Sequence, residues 1–506
     1  MYFALIISAC PPMAWCGFKR DNAGTGRAQA TALFSGVSSL VPLWSYSLSA
    51  STGVYSGPMV MDVDGDGIPN IVVGDNVGDL RCFNGPDGVI NWSYRASSGI
   101  YSTPAAGEMD GDPSSLEVAF VSSNATLYVL SGSDGHLLWS ASLGGYTYNG
   151  SPRLADMDGD GLLDVIVSTS SGTFVRRGYD GSTIWSSSQG VAIGSVPAVA
   201  DINRDGYPDV IVADDDSYWL KALNGLDGSL LWSVSIYNSD ISSPIVEDID
   251  GDGHYDIIVS SDREIYRVNE DGTLRWSSLT YINLSYDAHE SPVSGWDIDG
   301  DGVRDIFQSG YFGDTTLMAI SGADGSIIWL TTSLTETHGS APITVGDFDA
   351  SNPGYEILYN DHDGVLTVID AATGSSLWSY TYGGGPYGSG YSVLADVNGD
   401  TCVDFILRGE DDSPILAVFT SSVYGSCRLS WDDPDGVVET PSGMETPSVE
   451  VVGRTLILRG EGRYEILSAS GRLLSSGALE GERAVSLGTG AYFVKIGEKV
   501  RKVIVR

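Results

Sequence analysis

Positive charge is the first thing this sequence is short of. Against 66 Asp and Glu, the 506 residues carry only 26 Lys and Arg, a formal charge of −40. Nucleic acid and anionic membrane surfaces are therefore excluded as partners, because their phosphates would be repelled. Long apolar runs are missing as well, so no transmembrane segment is expected. Nothing sustains a helical period. No clusters of Cys and His point to zinc. Of the 5 cysteines, only Cys402 and Cys427 fall in one repeat, where an oxidising compartment would let them pair. What is present is glycine, 64 residues of it, with Val, Ile, Tyr, Trp, Ser and Thr dominating the patterned segments. That is the composition of a β protein with many turns. The acid then has two readings: a solvated, self-repelling surface, or carboxylates gathered around cations.

Residues 1–30 read as a leader. Tyr2 to Ala9 is a short apolar stretch, and Ile7-Ser8-Ala9-Cys10 has the form of a lipoprotein-type signal, although no Lys or Arg precedes it. From about residue 40 to 431 the chain repeats itself eight times, at a period of roughly 45 to 50 residues, which is the range of propeller blades. Each repeat opens on a motif such as Gly57-Pro58, Ser151-Pro152, Ser243-Pro244 or Ser291-Pro292 and a short apolar strand. An acidic loop and a Val/Ile-rich strand follow, as in Asp164-Val165-Ile166-Val167. A third strand ends in Asp-Gly, for example Asp87-Gly88, Asp134-Gly135 and Asp227-Gly228, and a fourth carries Trp92, Trp139, Trp185, Trp232, Trp276, Trp329 or Trp378. Asp-Gly between apolar runs signals a hairpin, because Gly accepts positive φ. The predicted fold is all-β, an eight-bladed propeller (seven blades being the alternative). The eighth repeat lacks a Trp strand of the usual type, whereas Leu43 to Leu48 is such a strand with no blade before it. Closure by this N-terminal strand, or by Ser426 to Trp431, would complete the ring and remove its edges.

The acidic loops carry the chemistry. Five share one pattern, with carboxylates or carboxamides at positions one, three, five and nine and Gly at six. They are Asp62, Asp64, Asp66 and Asn70; Asp156, Asp158, Asp160 and Asp164; Asp201, Asn203, Asp205 and Asp209; Asp248, Asp250, Asp252 and Asp256; and Asp297, Asp299, Asp301 and Asp305. Alternate residues of a curled loop face one centre, and position seven (Ile68, Leu162, Tyr207, His254 or Val303) offers a backbone carbonyl. Several hard oxygens in a flexible cage suit Ca²⁺ better than Mg²⁺. An EF-hand is excluded, because position twelve is Val73, Val167, Val212, Val259 or Gln308 rather than Glu, and the loops join strands. Three loops depart from the pattern. Asp396, Asn398, Asp400 and Asp404 keep the ligands but place Thr401 at the Gly position. Glu108, Asp110 and Asp112 reach Glu117 one residue late, and Asp347 and Asp349 reach Glu356 through a longer loop.

These Asp-x-Asp-x-Asp-Gly-x-x-Asp loops resemble the FG-GAP/VCBS repeats, which also build integrin α-chain propellers. The resemblance covers about residues 40–430 and implies a propeller with several Ca²⁺ ions between the first two strands of its blades. The Asp-Gly and Trp strand pairs also resemble quinoprotein repeats, more weakly. Residues 432–450 read as a Pro-, Glu- and Ser-rich linker. Residues 451–506, with Gly471-Arg472, Gly490-Ala491-Tyr492 and the closing Arg501-Lys502-Val503, are similar to the C-terminal sorting domain of type IX secretion cargo. That resemblance implies a small β-sandwich recognised by the type IX machinery, and a secreted or bacterial cell-surface protein.

Calcium is expected to be structural, with function on the opposite face. That face collects Tyr55, Tyr101, Tyr146, Tyr148, Tyr237, Tyr281, Tyr286, Tyr387 and Tyr391 in the loops leading into blades. Tyrosine offers flat apolar area with a polar tip, so a glycan or protein ligand, bound in adhesion, is the expected partner. The competing class is a calcium-dependent polysaccharide-degrading enzyme using His289, Glu290, Glu336 and His338. No nucleophile motif or phosphate loop supports it, and no catalytic residue is assigned.

Overall fold

The computed structural model describes residues 31–33, 40–49, 57–112, 114–191, 194–214, 218–236, 241–261, 264–279, 292–309, 317–331, 334, 343–346, 352, 354–360, 365–381, 391–398, 404–409, 415–421, 428–430, 448–452, 455–468, 473–486, 490–496 and 499–505. Among these every regular element is a β-strand. Eight four-stranded antiparallel sheets form the propeller. Blade one is Met59–Met61, Asn70–Gly74, Asp79–Asn84 and Ile90–Arg95, in that order from its first strand to its fourth. Blades two to seven repeat it, beginning at Ala105, Arg153, Ala198, Ile245, Val293 and Thr344.

Burial explains the composition of each strand. The second strand is covered by a neighbouring blade on each face, so it is apolar without alternation, and Asp164–Thr169 and Asp209–Asp214 are buried along their whole length. The fourth strand is the outer one and alternates, as in Leu137–Ser142 and Ser376–Thr381. Apolar side chains interlock between blades: Val72, Leu80 and Cys82 of blade one pack in one cluster with Val118, Phe120 and Leu130 of blade two.

Blade eight settles how the ring closes. Its strands Ser392–Ala395, Asp404–Arg408 and Ile415–Ser421 are completed by Leu40–Ser47, which pairs from Leu40 opposite Ser421 to Ser47 opposite Ile415. The other expected donor is occupied elsewhere, since Arg428–Ser430 pairs with Thr31–Leu33 in a separate two-stranded sheet.

Neighbouring blades are joined at two levels. At the outer level, seven strand tryptophans donate their indole N–H to a backbone carbonyl of the next blade, among them Trp44 to Gly85 at 2.7 Å, Trp92 to Gly132 at 2.7 Å, Trp139 to Gly178 at 2.6 Å and Trp185 to Gly225 at 2.6 Å. The same ring lies on the following Asp-Gly turn, so a Cβ at Gly135 would meet Trp92 at 2.6 Å and one at Gly181 would meet Trp139 at 2.5 Å. The turn glycines therefore serve twice, supplying positive φ (73° and 71° here) and leaving room for an indole. At the inner level, the residue before the leading proline of blades one, two and four is linked to the next blade. The Gly57 N–H donates to Thr103 Oγ1 at 2.8 Å, Thr103 N–H to Ser151 Oγ at 2.9 Å, and Val196 N–H to Ser243 Oγ at 2.8 Å. The prolines that follow have no N–H to satisfy at these buried places.

The C-terminal unit, from Trp431, is a five-stranded antiparallel sheet. Its long strand Thr455–Ser468 pairs with Leu473–Ser486 on one side and with Ser448–Val452 and Gly490–Ile496 on the other, and Lys499–Val505 pairs with Gly490–Ile496. The leader, residues 432–447 of the linker, Cys402 and Cys427 lie outside the described residues, while residues 448–450, expected in the linker, belong to the strand Ser448–Val452.

Candidate metal centres

Each acidic loop joins the first strand of a blade to the second, and in blades three, four and six the loop's own backbone orients the carboxylates. In blade six, Asp297 at position one accepts the N–H groups of Gly300 at 2.6 Å, Asp301 at 3.0 Å and Gly302 at 2.8 Å. Asp301 at position five accepts Val303 N–H at 2.8 Å. Asp156 and Asp160 in blade three, and Asp201 and Asp205 in blade four, repeat both arrangements. The curl needs two left-handed residues, not one. Position six is Gly67, Gly161, Gly206, Gly253 or Gly302, with φ from 82° to 93°. Position four is Gly65, Gly159, Gly251 or Gly300 in four loops and Arg204 (φ 61°) in the other.

Position nine belongs to the second strand and is buried. Its side chain accepts the N–H of position two in seven blades: Val63 to Asn70 at 2.8 Å, Met109 to Glu117 at 2.6 Å, Met157 to Asp164 at 2.9 Å, Ile202 to Asp209 at 3.2 Å, Ile249 to Asp256 at 3.2 Å, Ile298 to Asp305 at 2.7 Å and Val397 to Asp404 at 2.9 Å. The other oxygen reaches the end of the third strand, accepting Gly178 N–H at 3.3 Å from Asp164, Gly225 N–H at 3.0 Å from Asp209 and Gly322 N–H at 3.2 Å from Asp305. These glycines, with Gly85 and Gly132, are also the ones whose carbonyls hold the preceding blade's tryptophan.

Among the described residues, carboxylates converge in five loops. One oxygen from each of Asp62, Asp64 and Asp66, of Glu108, Asp110 and Glu117, of Asp156, Asp158 and Asp164, of Asp248, Asp250 and Asp256, and of Asp297, Asp299 and Asp305 lies within 4.8 Å of the others. Blade four substitutes Asn203 for a carboxylate at position three, and its Nδ2 donates to Asp205 at 3.0 Å and Asp209 at 3.1 Å. The blade-two set was missing from the predicted ligands. Its signal was the glutamate at position nine: one extra methylene and one extra loop residue compensate, and Glu117 makes the same bond to position two as the aspartates. In blade eight Asp396, Asn398 and Asp404 are described, and Asn398 Nδ2 donates to Asp404 at 3.4 Å. Asp400, Asp347 and Asp349 fall outside the described residues.

Packing several carboxyls this closely in partial burial makes the ionised forms costly. Burial, reinforced by neighbouring carboxylates, lifts Asp164, Asp209 and Asp305 to about 7 and Glu117 to about 8, against the bonds they accept from backbone N–H groups. A divalent cation bound to oxygen ligands would remove that cost. In the five convergent sets every donor atom is a carboxylate oxygen, which fits Ca²⁺.

The tyrosine face differs from expectation at one residue. Tyr146 and Tyr148 are exposed, at 46 % and 47 %, and stand edge to face with ring centroids 5.6 Å apart. Tyr101 is half-buried. Tyr391, however, is 3 % exposed and packs with Val196. Val196 leads into blade four and Tyr391 into blade eight, on opposite sides of an eight-membered ring, so this contact crosses the central axis. A residue there has neighbours on every side and cannot join a solvent-facing rim. Tyr55, Tyr237, Tyr281, Tyr286, Tyr387, His289, Glu290, Glu336 and His338 lie outside the described residues.

Comparison with known proteins gives two family matches. The model for outer membrane protein assembly factor BamB matches residues 42–205 and 297–458. The model for the FG-GAP-like repeat matches residues 201–259 and 248–308, which contain the acidic loops of blades four to six. Among solved structures, BamB from Moraxella catarrhalis is 15% identical, with 76% of this chain and 98% of that chain covered and a TM-score of 0.51. The V. cholerae biofilm matrix protein Bap1 is 16% identical over 76% of this chain and 91% of that one, with a TM-score of 0.56. Quinohemoprotein alcohol dehydrogenase from Comamonas testosteroni is 12% identical over 81% of both chains, at 0.58. At such identities the likeness is one of fold. No protein of curated function matches the sequence.

Proposed function

The chain belongs to the family described as outer membrane protein assembly factor BamB, whose model spans more than half of it, and on that premise we propose a calcium-stabilised binding propeller, exported from the cytoplasm, that engages a glycan or protein partner. The observation that carries this reading is the convergence of carboxylates in loop after loop of the ring. Acidic groups held together against their own repulsion imply a ligand of opposite charge, and oxygen donors with two left-handed residues per loop suit a structural Ca²⁺ ion. The ions would sit beside the seams between blades and hold the ring. The side chains involved are those of positions one, three, five and nine, with the position-seven carbonyls.

Binding falls to the opposite face, where the exposed Tyr146 and Tyr148 pair presents two rings at right angles. Export by the type IX machinery through the C-terminal sheet, and a secreted or surface location, complete the reading. Among the described residues no helix is long and apolar enough to cross a membrane.

The rival is a quinoprotein-like enzyme, which the fold likeness to alcohol dehydrogenase allows. A flat redox cofactor in a propeller needs room at the central channel. The contact of Tyr391 with Val196 brings side chains of opposite blades together on that face, which supports the binding module. The test is a thermal melt of the full chain in millimolar Ca²⁺ and in chelator, with Mg²⁺ as control, because ions that bind only the folded state raise its melting point. A shift of many degrees specific to Ca²⁺ is expected, and no shift would remove the metal reading. Quinone-dependent dye reduction by the purified chain would reverse the order of the two functions.

A further inference from the structure

We infer that the acidic loop of blade five carries its own cation: the guanidinium of Arg267 stands where the other convergent loops would take calcium. The inference rests on the calcium reading of those loops and concerns a loop whose residues do not fit it.

The repeats supply their own comparison. The third strand of each blade has a residue paired opposite the second residue after position nine. In seven blades it is Cys82, Val129, Val175, Ala222, Ala319, Val368 or Val418, all uncharged and buried. In blade five it is Arg267, opposite Ile258 and 0 % exposed. A charge placed where the fold asks for a small apolar side chain needs a partner of opposite sign. Arg267 finds two, and both belong to the loop's convergent set. Its Nε and Nη2 donate to the two oxygens of Asp256, each at 2.8 Å, as a planar fork, and Nη2 also reaches Asp250 Oδ2 at 2.5 Å. Nη1 donates to the Gly322 carbonyl of blade six at 2.9 Å, the carbonyl that holds Trp276.

Further positive groups surround the same loop. Arg275 Nη2 lies 2.9 Å from Asp250 Oδ2. From loop four, Arg204 donates to the Gly253 carbonyl at 2.6 Å. A Ca²⁺ ion here would share position three and position nine with a guanidinium that is always charged, at a separation where like charges repel strongly. Blade three offers the contrast. Arg177 donates to Asp158 Oδ2 at 2.9 Å, but its side chain is 34 % exposed and can turn to solvent when an ion arrives. Arg267 has no such exit.

The experiment counts bound Ca²⁺ on the full chain by native mass spectrometry and equilibrium dialysis, for the wild type, Asp297→Asn, Asp248→Asn and Arg267→Val. Asp297→Asn should cost one ion or weaken one at least tenfold, Asp248→Asn should leave the count unchanged, and Arg267→Val should gain one ion. Loss of an ion in Asp248→Asn overturns this inference alone, as does a folded Arg267→Val with no gain. If Arg267→Val folds only in Ca²⁺, the ion has replaced the guanidinium, as expected. A wild type that binds no Ca²⁺, with Asp297→Asn unchanged, removes the calcium reading of every loop and this inference with it.

Discussion

The side chain at position nine serves two arrangements at once, and its protonation decides which is favoured. Asp164 accepts hydrogen bonds from Met157 and Gly178 and also faces Asp156 and Asp158. Without an ion its buried charge is a burden, which is why its carboxyl sits at about 7 rather than at the ordinary ~3.9. A carboxyl raised on folding contributes stability that is fully present below the unfolded pKa and is lost as pH rises through the folded one. The chelated protein should therefore melt at progressively lower temperature from about pH 4 to about pH 8, followed by calorimetry in EGTA-type buffers. In saturating Ca²⁺ the ion selects the ionised form, so the slope over the same window should flatten or reverse. Asp164→Asn separates the two roles. It keeps the acceptor for Met157 N–H, as Asn70 does naturally for Val63, and removes the charge together with the longer bond from Gly178 N–H. In chelator the variant should melt at or above the wild-type temperature, and in Ca²⁺ below it.

At the scale of the element, the third-strand glycines couple loop to seam. Gly225 gives its N–H to Asp209 and its carbonyl to Trp185. A Cβ there would stand 1.8 Å from the Pro208 carbonyl oxygen, and one at Gly178 would stand 2.0 Å from that of Leu163. Gly225→Ala should destabilise by about 3 kcal/mol, since backbone on backbone leaves nothing flexible to give way, and denaturant titration measures it. Trp139→Phe, which keeps the ring but loses the bond to Gly178, should cost only about 1 kcal/mol. The blades were legible because β-branched second strands, Asp-Gly turns and Trp strands each state one level of the same element. Other features were hidden by their dependence on neighbours. Arg204 at a left-handed position looks like a lapse in a glycine pattern until the curl is seen. Arg267 carries no signal in the sequence, since only its register opposite Ile258 places it inside. Tyr391, grouped with the other loop tyrosines by its place before a first strand, is buried and packs with Val196 from the far side of the ring. Glu117 reads as a degenerate ligand, and only its reach shows it to be equivalent to the aspartates.

At the scale of the whole molecule, the ring is held by one joint between the two ends of the propeller. Leu40–Ser47 completes blade eight, and Trp44 extends the indole contacts to Gly85 and Gly88 of blade one. Removing residues 1–47 would leave Ile415–Ser421 with an unpaired edge, and such edges recruit other chains. That variant should self-associate in light scattering and melt well below the wild type. Trp44→Ala should stay monomeric and lose a smaller part of the stability. The same joint fixes an order of events in time. The strand that completes the last blade is synthesised before any blade exists and must stay unpaired until residue 421 has been made. Contacts this distant along the chain are slow to form. Seven blades can therefore gather on the growing chain, but the closed molecule cannot exist until the eighth is finished.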